Sequence, residues 1–327
     1  MQQSVLSVSL IFAATAMSNA ASPSVKSVQY NGACDGSAIV NVGDGHFLNA
    51  SDEDNILRLY SLKSPGAPKR EFDEREVLKM NGKNKEADLE AVAQIGSRLY
   101  WIGSHGRDKK ADLEPSRSQL FATDFSGAGA NTDVKPVGNP YRDLLKQLQA
   151  VPTAKKALNS AEPLAHTKGG IDIEGLAIAP NGKGLLIGMR SPLLTTKGAF
   201  VFTLKNPDQV IKGEKAEIGD TWVLDLGKAG IRAMEFLSAS RQYLILAGPP
   251  GEGGPFALYS WTPNAKPQRL MVVPSDTGSA EGLMLDGTDV YVSIDEGERL
   301  IGGIACKDIE DASKKTFTLL RITGLQP

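Results

Sequence analysis

Apolar residues in this chain come in short runs divided by tight polar turns, and the runs return in a fixed order. One unit reads DLEAVAQIGSRLYWIGSH over 88–105: an acidic step, an apolar strand, a turn, a second apolar strand and a polar tip. DIEGLAIAPNGKGLLIGMR at 172–190 and AEGLMLDGTDVYVSID at 280–295 repeat it. Weaker copies are IRAMEFLSASRQYLILAGPP at 231–250 and CDGSAIVNVGDGHFLNASD at 34–52. Short apolar runs bounded by Gly, Pro and Asn read as strands. A strand-turn-strand unit recurring every roughly 40–50 residues is the mark of a β-propeller. The sequence therefore predicts an all-β fold, a β-propeller of five four-stranded blades, with six blades as the alternative.

Each hairpin is followed by a third apolar run: 56–62, 119–124 (QLFATD), 199–204 (AFVFTL) and 256–261 (FALYSW). Outer fourth strands are expected near 76–79, at 133–137, at 222–226 and at 268–273. The fifth unit shows only three strands, 282–285, 289–294 and 316–322. The segment SVKSVQY at 24–30 alternates like a spare strand. It is expected to complete the last blade and close the ring, which also removes open sheet edges. The second position of the acidic step falls at 37, 90, 174, 234 and 281, and the widest interval separates blades 2 and 3. The extra length lies at about 140–169, where Tyr141, Leu144, Leu145 and Leu148 have helical spacing and Pro152 ends it. A short helical insertion belongs there, packed on the side of the ring or capping one end.

The ends of the chain narrow the setting. Residues 5–17 are apolar but too short for a sure membrane span, and Ser18-Asn19-Ala20 follows as a small-x-small cleavage pattern. Residues 1–20 read as a secretory signal peptide, with an uncleaved anchor as the alternative; 21–327 is then a single propeller domain, periplasmic or secreted. Lys plus Arg number 36 and Asp plus Glu 38, for a net charge of −2. Nothing basic points to nucleic acid or to an anionic membrane surface. The two cysteines, Cys34 and Cys306, sit near opposite ends of the mature chain. A propeller's closing blade brings such ends together, and an exported protein can oxidise them. A disulfide is the expectation, with two free thiols as the alternative.

Aligned, with blades 3 and 4 matching without a gap, the five copies give three polar columns. Asp35, Asp88, Asp172, Arg232 and Ser279 open the unit. Two residues later stand Ser37, Glu90, Glu174, Met234 and Glu281. Asp52, His105, Arg190, Pro250 and Asp295 follow the hairpin. Residues two apart on a strand share a side, so the columns should meet at one mouth of the ring. Converging carboxylates repel unless they are protonated, paired with a cation or bound to a metal. Carboxylate oxygens suit Ca²⁺ or Mg²⁺, and three histidines with no Cys cluster leave little for zinc. Glu90, Glu174 and Glu281 are the candidate metal ligands. Glu90, Glu174, His105, Arg107 and Arg190 are the candidate catalytic groups. Asp52, Asp88, Asp172, Arg232 and Asp295 are candidate ligand-binding groups. The bland reading is that the Glu column accepts hydrogen bonds from the backbone N–H groups of neighbouring blades and that His105 and Arg107 sit in a solvated loop. The long blade 2 tip carries Arg107, Lys109, Lys110 and Arg117, which suits an anionic ligand. No GxSxG elbow, P-loop or HExxH is present.

The DLEAVA, DIEGLAIAPNG and AEGL steps, with GSHGR and IGMRSPL at the tips, resemble an uncharacterised bacterial propeller family, a domain of unknown function. The likeness covers roughly 32–322. More distantly, the EGLA step is similar to phytase-like esterase propellers and to the calcium-dependent lactonase and gluconolactonase group. That resemblance implies a Ca²⁺ on the axis, carried over by motif to Glu90, Glu174 and Glu281. Met234 departs from the pattern in blade 4. The expectation is an exported monomer that binds a divalent metal and a small polar or anionic ligand and hydrolyses an ester or phosphoester. A non-catalytic binding or scaffold propeller is the alternative.

Overall fold

A computed structural model describes residues 22–80, 86–195, 198–251 and 253–326; the expected signal peptide lies outside them. Five antiparallel four-stranded sheets stand around one axis. Blade 1 is Ala38–Gly43, His46–Ala50, Ile56–Ser61 and Arg70–Asp73. Blade 2 is Leu89–Ile95, Arg98–Gly103, Leu120–Ser126 and Asp133–Tyr141. Blade 3 is Asp172–Ile178, Leu185–Ser191, Gly198–Leu204 and Ile218–Asp225. Blade 4 is Gly230–Leu237, Gln242–Gly248, Phe256–Trp261 and Gln268–Val273. Blade 5 is Ser279–Asp286, Asp289–Asp295 and Thr316–Thr323, completed by Ser24–Asn31 from the start of the chain.

The two-residue period of the second strands builds the ring. In blade 3, Leu185, Ile187 and Met189 face blade 2, while Leu186 faces blade 4. In blade 4, Tyr243, Ile245 and Ala247 face blade 3, and Leu244 and Leu246 face blade 5. Strands buried on both faces read as unbroken apolar runs, which is how these appear in the sequence. The core is accordingly five separate apolar clusters, one in each gap between blades. Gly175 and Gly188 let one gap close. A Cβ on either would lie 2.7 or 2.8 Å from Cγ2 of Ile231 in blade 4.

Closure depends on the N-terminal strand. Its Tyr30 packs among Phe47, Tyr60 and Phe317, with ring centroids 5.2–5.6 Å apart. Tyr60 Oη donates to the carbonyl of Asn31 at 2.7 Å. Cys34 and Cys306 form a disulfide, with Cα atoms 5.8 Å apart and a sequence separation of 272. The bond ties the entry to blade 1 to the loop inside blade 5.

Two local expectations are corrected. The outer strand of blade 1 is Arg70–Asp73, and 76–79 forms a turn instead. There Leu78 is buried, its amide donates to Glu74 and its carbonyl accepts from Gln119 and Arg142, bonds no edge strand would leave free. The insertion holds two helices, Leu144–Leu148 and Lys155–Ala161, where one was expected. Leu144, Leu148, Leu158 and Ala161 join the cluster between blades 2 and 3, so the helices pack on the ring. Only the turn that follows, His166–Lys168, reaches the axial mouth.

In the chain-entropy model a loop of this length stabilises by about 5 kcal/mol as an upper bound. The Cys34→Ser/Cys306→Ser variant is expected to lose about 2–5 kcal/mol, read as a lower urea midpoint. An unchanged midpoint would show that the bond adds nothing to the closure already made by the N-terminal strand.

Candidate axial site

The inner strands carry the chemistry through a shared irregularity. In blade 2, Leu89 pairs with Gly103 and Ala91 with Ile102, leaving Glu90 as the extra residue. Glu174 is skipped in the same way in blade 3 and Arg232 in blade 4. In blade 5 the register shift falls between Ala280 and Leu283 and spans Glu281. A β-bulge re-aims the side chain it carries, and these bulges line one axial cavity of about 550 Å³ with Glu90, Glu174, Arg232 and Glu281. The register corrects the column alignment: Arg232, not Met234, is the blade 4 member, and Met234 is buried in the gap between blades 3 and 4. A slip of two residues keeps every side chain on its face, so apolar patterning could not reveal it.

Arg232 turns a ring of repelling carboxylates into a chain of ion pairs. It is 2% exposed and meets Glu174 at 3.0 Å and Glu281 through a second nitrogen. Arg190 meets Glu174 at 2.8 Å and Asp172 at 3.3 Å. Ser37 Oγ donates to Glu281 at 3.2 Å. The chain thus runs through blades 1, 5, 4 and 3. The inter-blade partners of these carboxylates are side chains, where the bland reading had foreseen backbone amides.

Blade 2 stands outside that chain. Glu90 makes no hydrogen bond or ion pair among the described residues, although acids crowd it. Its carboxylate oxygen lies within 4.8 Å of oxygens of Asp52 and Asp88 on one side and of Asp172 and Glu174 on the other. Burial first, then the charges of Glu174, Asp88, Asp172 and Asp52, push the Glu90 carboxyl well above its usual range. Burial and neighbouring acids likewise raise Asp52 and Glu281, lift Asp172 to about 8 and Asp35 to about 7. Eleven carboxylates and six Lys or Arg side chains line the cavity among the described residues.

The first column is partly structural. Asp35 is fully buried and accepts from Ser51 (2.7 Å), Ser37 and the Asp52 amide (both 3.3 Å). Asp88 accepts from Ser104 and pairs with Arg117 at 3.1 Å. The bonds from Ser51, the Asp52 amide and Ser104 tie the start of an inner strand to the hairpin's return.

Of the candidate residues, Asp52, Asp88, Glu90, Asp172, Glu174, Arg190, Arg232, Glu281 and Asp295 meet in the cavity lining; His105 and Arg107 do not. His105 is 4% exposed, with Nδ1 2.9 Å from the Gly103 carbonyl, and burial lowers its pKa to about 4. Arg107 spans to the insertion, bonding the Glu162 carbonyl and carboxylate, both at 2.7 Å. The tip still supplies the mouth with Asp108, Lys109, Lys110 and Arg117, and the insertion adds His166 and Thr167. His166 was overlooked because it belongs to no repeat. Burial lowers its pKa, which keeps the imidazole neutral near pH 7.

The molecule is thus a five-bladed β-propeller with an acidic, partly ion-paired mouth on its axis. The chain belongs to the family described as a protein of unknown function, DUF3616, whose model matches residues 35–122 and 139–289. No curated protein sequence matches it. Similar solved structures include a luciferin-regenerating enzyme, 9% identical over 93% of this chain and 96% of that one, TM-score 0.44. Myxococcus xanthus glutaminyl cyclase is 11% identical over 92% and 96%, TM-score 0.43. The PQQ-bound aldose sugar dehydrogenase of Streptomyces coelicolor is 11% identical over 92% and 98%, TM-score 0.42.

Two outcomes follow. Arg232→Met strands Glu174 and Glu281 together, and breaking a buried pair costs about 3–5 kcal/mol; adding Glu281→Gln should recover part of the loss. A single variant as stable as the parent in urea would remove the ion-pair chain from the account. The second outcome is a pH dependence. Carboxyls with raised pKa bind more protons folded than unfolded, so stability falls as pH rises towards their folded pKa. His105 and His166, lowered, act the other way, but their effect fades above about 6.5 as the unfolded imidazoles lose their protons. Between pH 6.5 and 8 the metal-free protein should therefore lose stability as pH rises, and a thermal midpoint that climbs over that window contradicts the shifts.

Proposed function

We propose that this chain is an exported propeller that binds one Ca²⁺ at the axial mouth and, beside it, a small anionic ligand. The observation that carries the reading is Glu90, a carboxylate without a partner set between two acid groups. Asp172 adds to it: the residue is 2% exposed, and its Oδ1 has no hydrogen-bond partner. The donors are hard oxygens, which Ca²⁺ takes in sets of 6–8. Glu90, Asp52, Asp88 and Asp172 would hold the ion. Glu174 belongs to the second acid group but is already paired with Arg190 and Arg232. Glu281 belongs to neither group, and Arg232 and Ser37 engage it.

When bound, such an ion polarises a carbonyl or phosphoryl oxygen as a Lewis acid. Lys109 and Lys110 on the blade 2 tip offer positive charge to an anionic group. Arg190 stands between Asp172 and Glu174 and orients both. His166, neutral and on the rim, can accept a proton from water. This set suits hydrolysis of an ester or phosphoester by a monomer. Export is supported by the disulfide and by the sequence of residues 1–20; no described helix is long and apolar enough to cross a membrane.

The second reading is a non-catalytic propeller whose polar axis serves assembly. The unbroken chain Arg190–Glu174–Arg232–Glu281–Ser37 favours it. Metal separates the two. Millimolar Ca²⁺ should raise the thermal midpoint of dialysed protein, and Glu90→Gln should weaken Ca²⁺ at least tenfold by calorimetry. Affinity should rise with pH up to about 8, because the ligands must shed protons to bind. Protein that shows neither heat nor a midpoint shift with Ca²⁺ leaves only the assembly reading. Hydrolysis of an aryl ester or aryl phosphate that needs Ca²⁺ and Glu90 would add the reaction.

A further inference from the structure

The inner strands end in a second opening. Glu90 and Gln94 lie four residues apart on one strand, so the far ends stand about 13 Å from the acidic mouth. A constriction lined by Ala91, Ala233, Met234 and Leu283, of only about 10 Å³, separates the two. Beyond it is a cup of about 140 Å³ walled by Val40, Val92, Leu176, Ile178 and Leu285. One carboxylate, Glu235, stands in that wall.

Glu235 is isolated. One of its oxygens accepts from the Phe236 amide at 3.1 Å. It has no ion-pair partner among the described residues, and burial among apolar side chains lifts its pKa to about 7. Gln94 lines the same cup. Its amide nitrogen donates to the Gly96 carbonyl at 2.8 Å, while its side-chain oxygen makes no hydrogen bond among the described residues. Asn41 is already used: its nitrogen donates to the Leu285 carbonyl and to Asp286, and its oxygen accepts from the Gly43 amide.

We propose that this cup binds a primary ammonium group carried on a short apolar chain. Two acceptor oxygens, from Glu235 and Gln94, meet a donor-only cation, and the aliphatic wall meets its hydrocarbon. Among the described residues no cation lines the cup to attract an anion. Two oxygens are too few for Ca²⁺, which takes 6–8. A cavity of about 150 Å³ with aliphatic walls holds benzene, so the occupant has about six heavy atoms. The site is independent of the mouth and of any metal there.

Calorimetry on the full mature chain tests it, with n-butylammonium as probe and n-butanol and butyrate as controls. Butylammonium should bind at pH 8 while butanol and butyrate give no heat. Affinity should fall about tenfold at pH 6, since Glu235 takes up a proton below about 7 and is the one titratable group in the lining among the described residues. Asp286 bonds Asn41 but does not line the cup. Glu235→Gln should lose at least tenfold and Glu90→Gln nothing. Should Glu235→Gln fail to fold, Gln94→Leu and the pH dependence of the parent protein decide. No heat from butylammonium at pH 8, equal binding of butanol, affinity unchanged at pH 6, or loss of binding in Glu90→Gln would each overturn the proposal.

Discussion

Inner strands that converge on one axis bring their polar side chains closer than like charges tolerate. Bulges in these strands aim Glu90, Glu174, Arg232 and Glu281 at the same few ångströms, and burial strips Glu174 and Arg232 of most of their water. Every other feature of the mouth is a way of meeting that constraint. Blades 3 and 4 meet it with Arg190 and Arg232, and Arg232 also serves Glu281 of blade 5, since a planar guanidinium can serve two carboxylates at once. Blade 1 contributes a hydroxyl, Ser37, which repels nothing. In blade 2 Arg117 and Ser104 serve Asp88, and nothing among the described residues serves Glu90, so that carboxylate is left either to hold a proton or to hold a cation.

That imbalance links fold to function. The apolar gaps between blades are complete without the axis, and the N-terminal strand and the Cys34–Cys306 bond close the ring at its rim. The molecule has no need of an unpaired acid at its centre for packing. Excess negative charge that the scaffold does not require, next to a buried oxygen of Asp172 without a partner among the described residues, is what the proposed cation site rests on. Glu235 at the far end is likewise a charge that packing does not require, set in an apolar wall. The two ends of the channel therefore differ in kind: a crowded acid set suited to a hard cation, and a lone acid suited to a soft organic one.

Much of the ring was legible because strands buried on both faces write themselves as repeated apolar runs. The spare strand at Ser24–Asn31 showed in its alternation, and the disulfide in the position of its two cysteines. The axis was legible only in part. Glu90, Glu174 and Glu281 were found by column, but Arg232 was assigned one column early, because a two-residue slip leaves the pattern of faces unchanged. His105 was favoured as the histidine at a hairpin tip, yet the backbone there has a positive φ of 58° and the ring is buried. The rim histidine is His166, on an insertion that no repeat predicts, and its place depends on two helices packing between blades 2 and 3. Side chains set by repeats can be read from a sequence; side chains set by where an insertion lands cannot.

Long-wavelength anomalous diffraction from crystals grown with Ca²⁺ tests the central claim most directly, because it locates the ion among named oxygens. The account predicts one axial peak about 2.3–2.6 Å from a Glu90 carboxylate oxygen, with Asp172 or Asp52 completing the shell and the Arg232 pairs intact. An axis with no peak, or a peak held by Glu174 and Glu281 with Glu90 uninvolved, would contradict it.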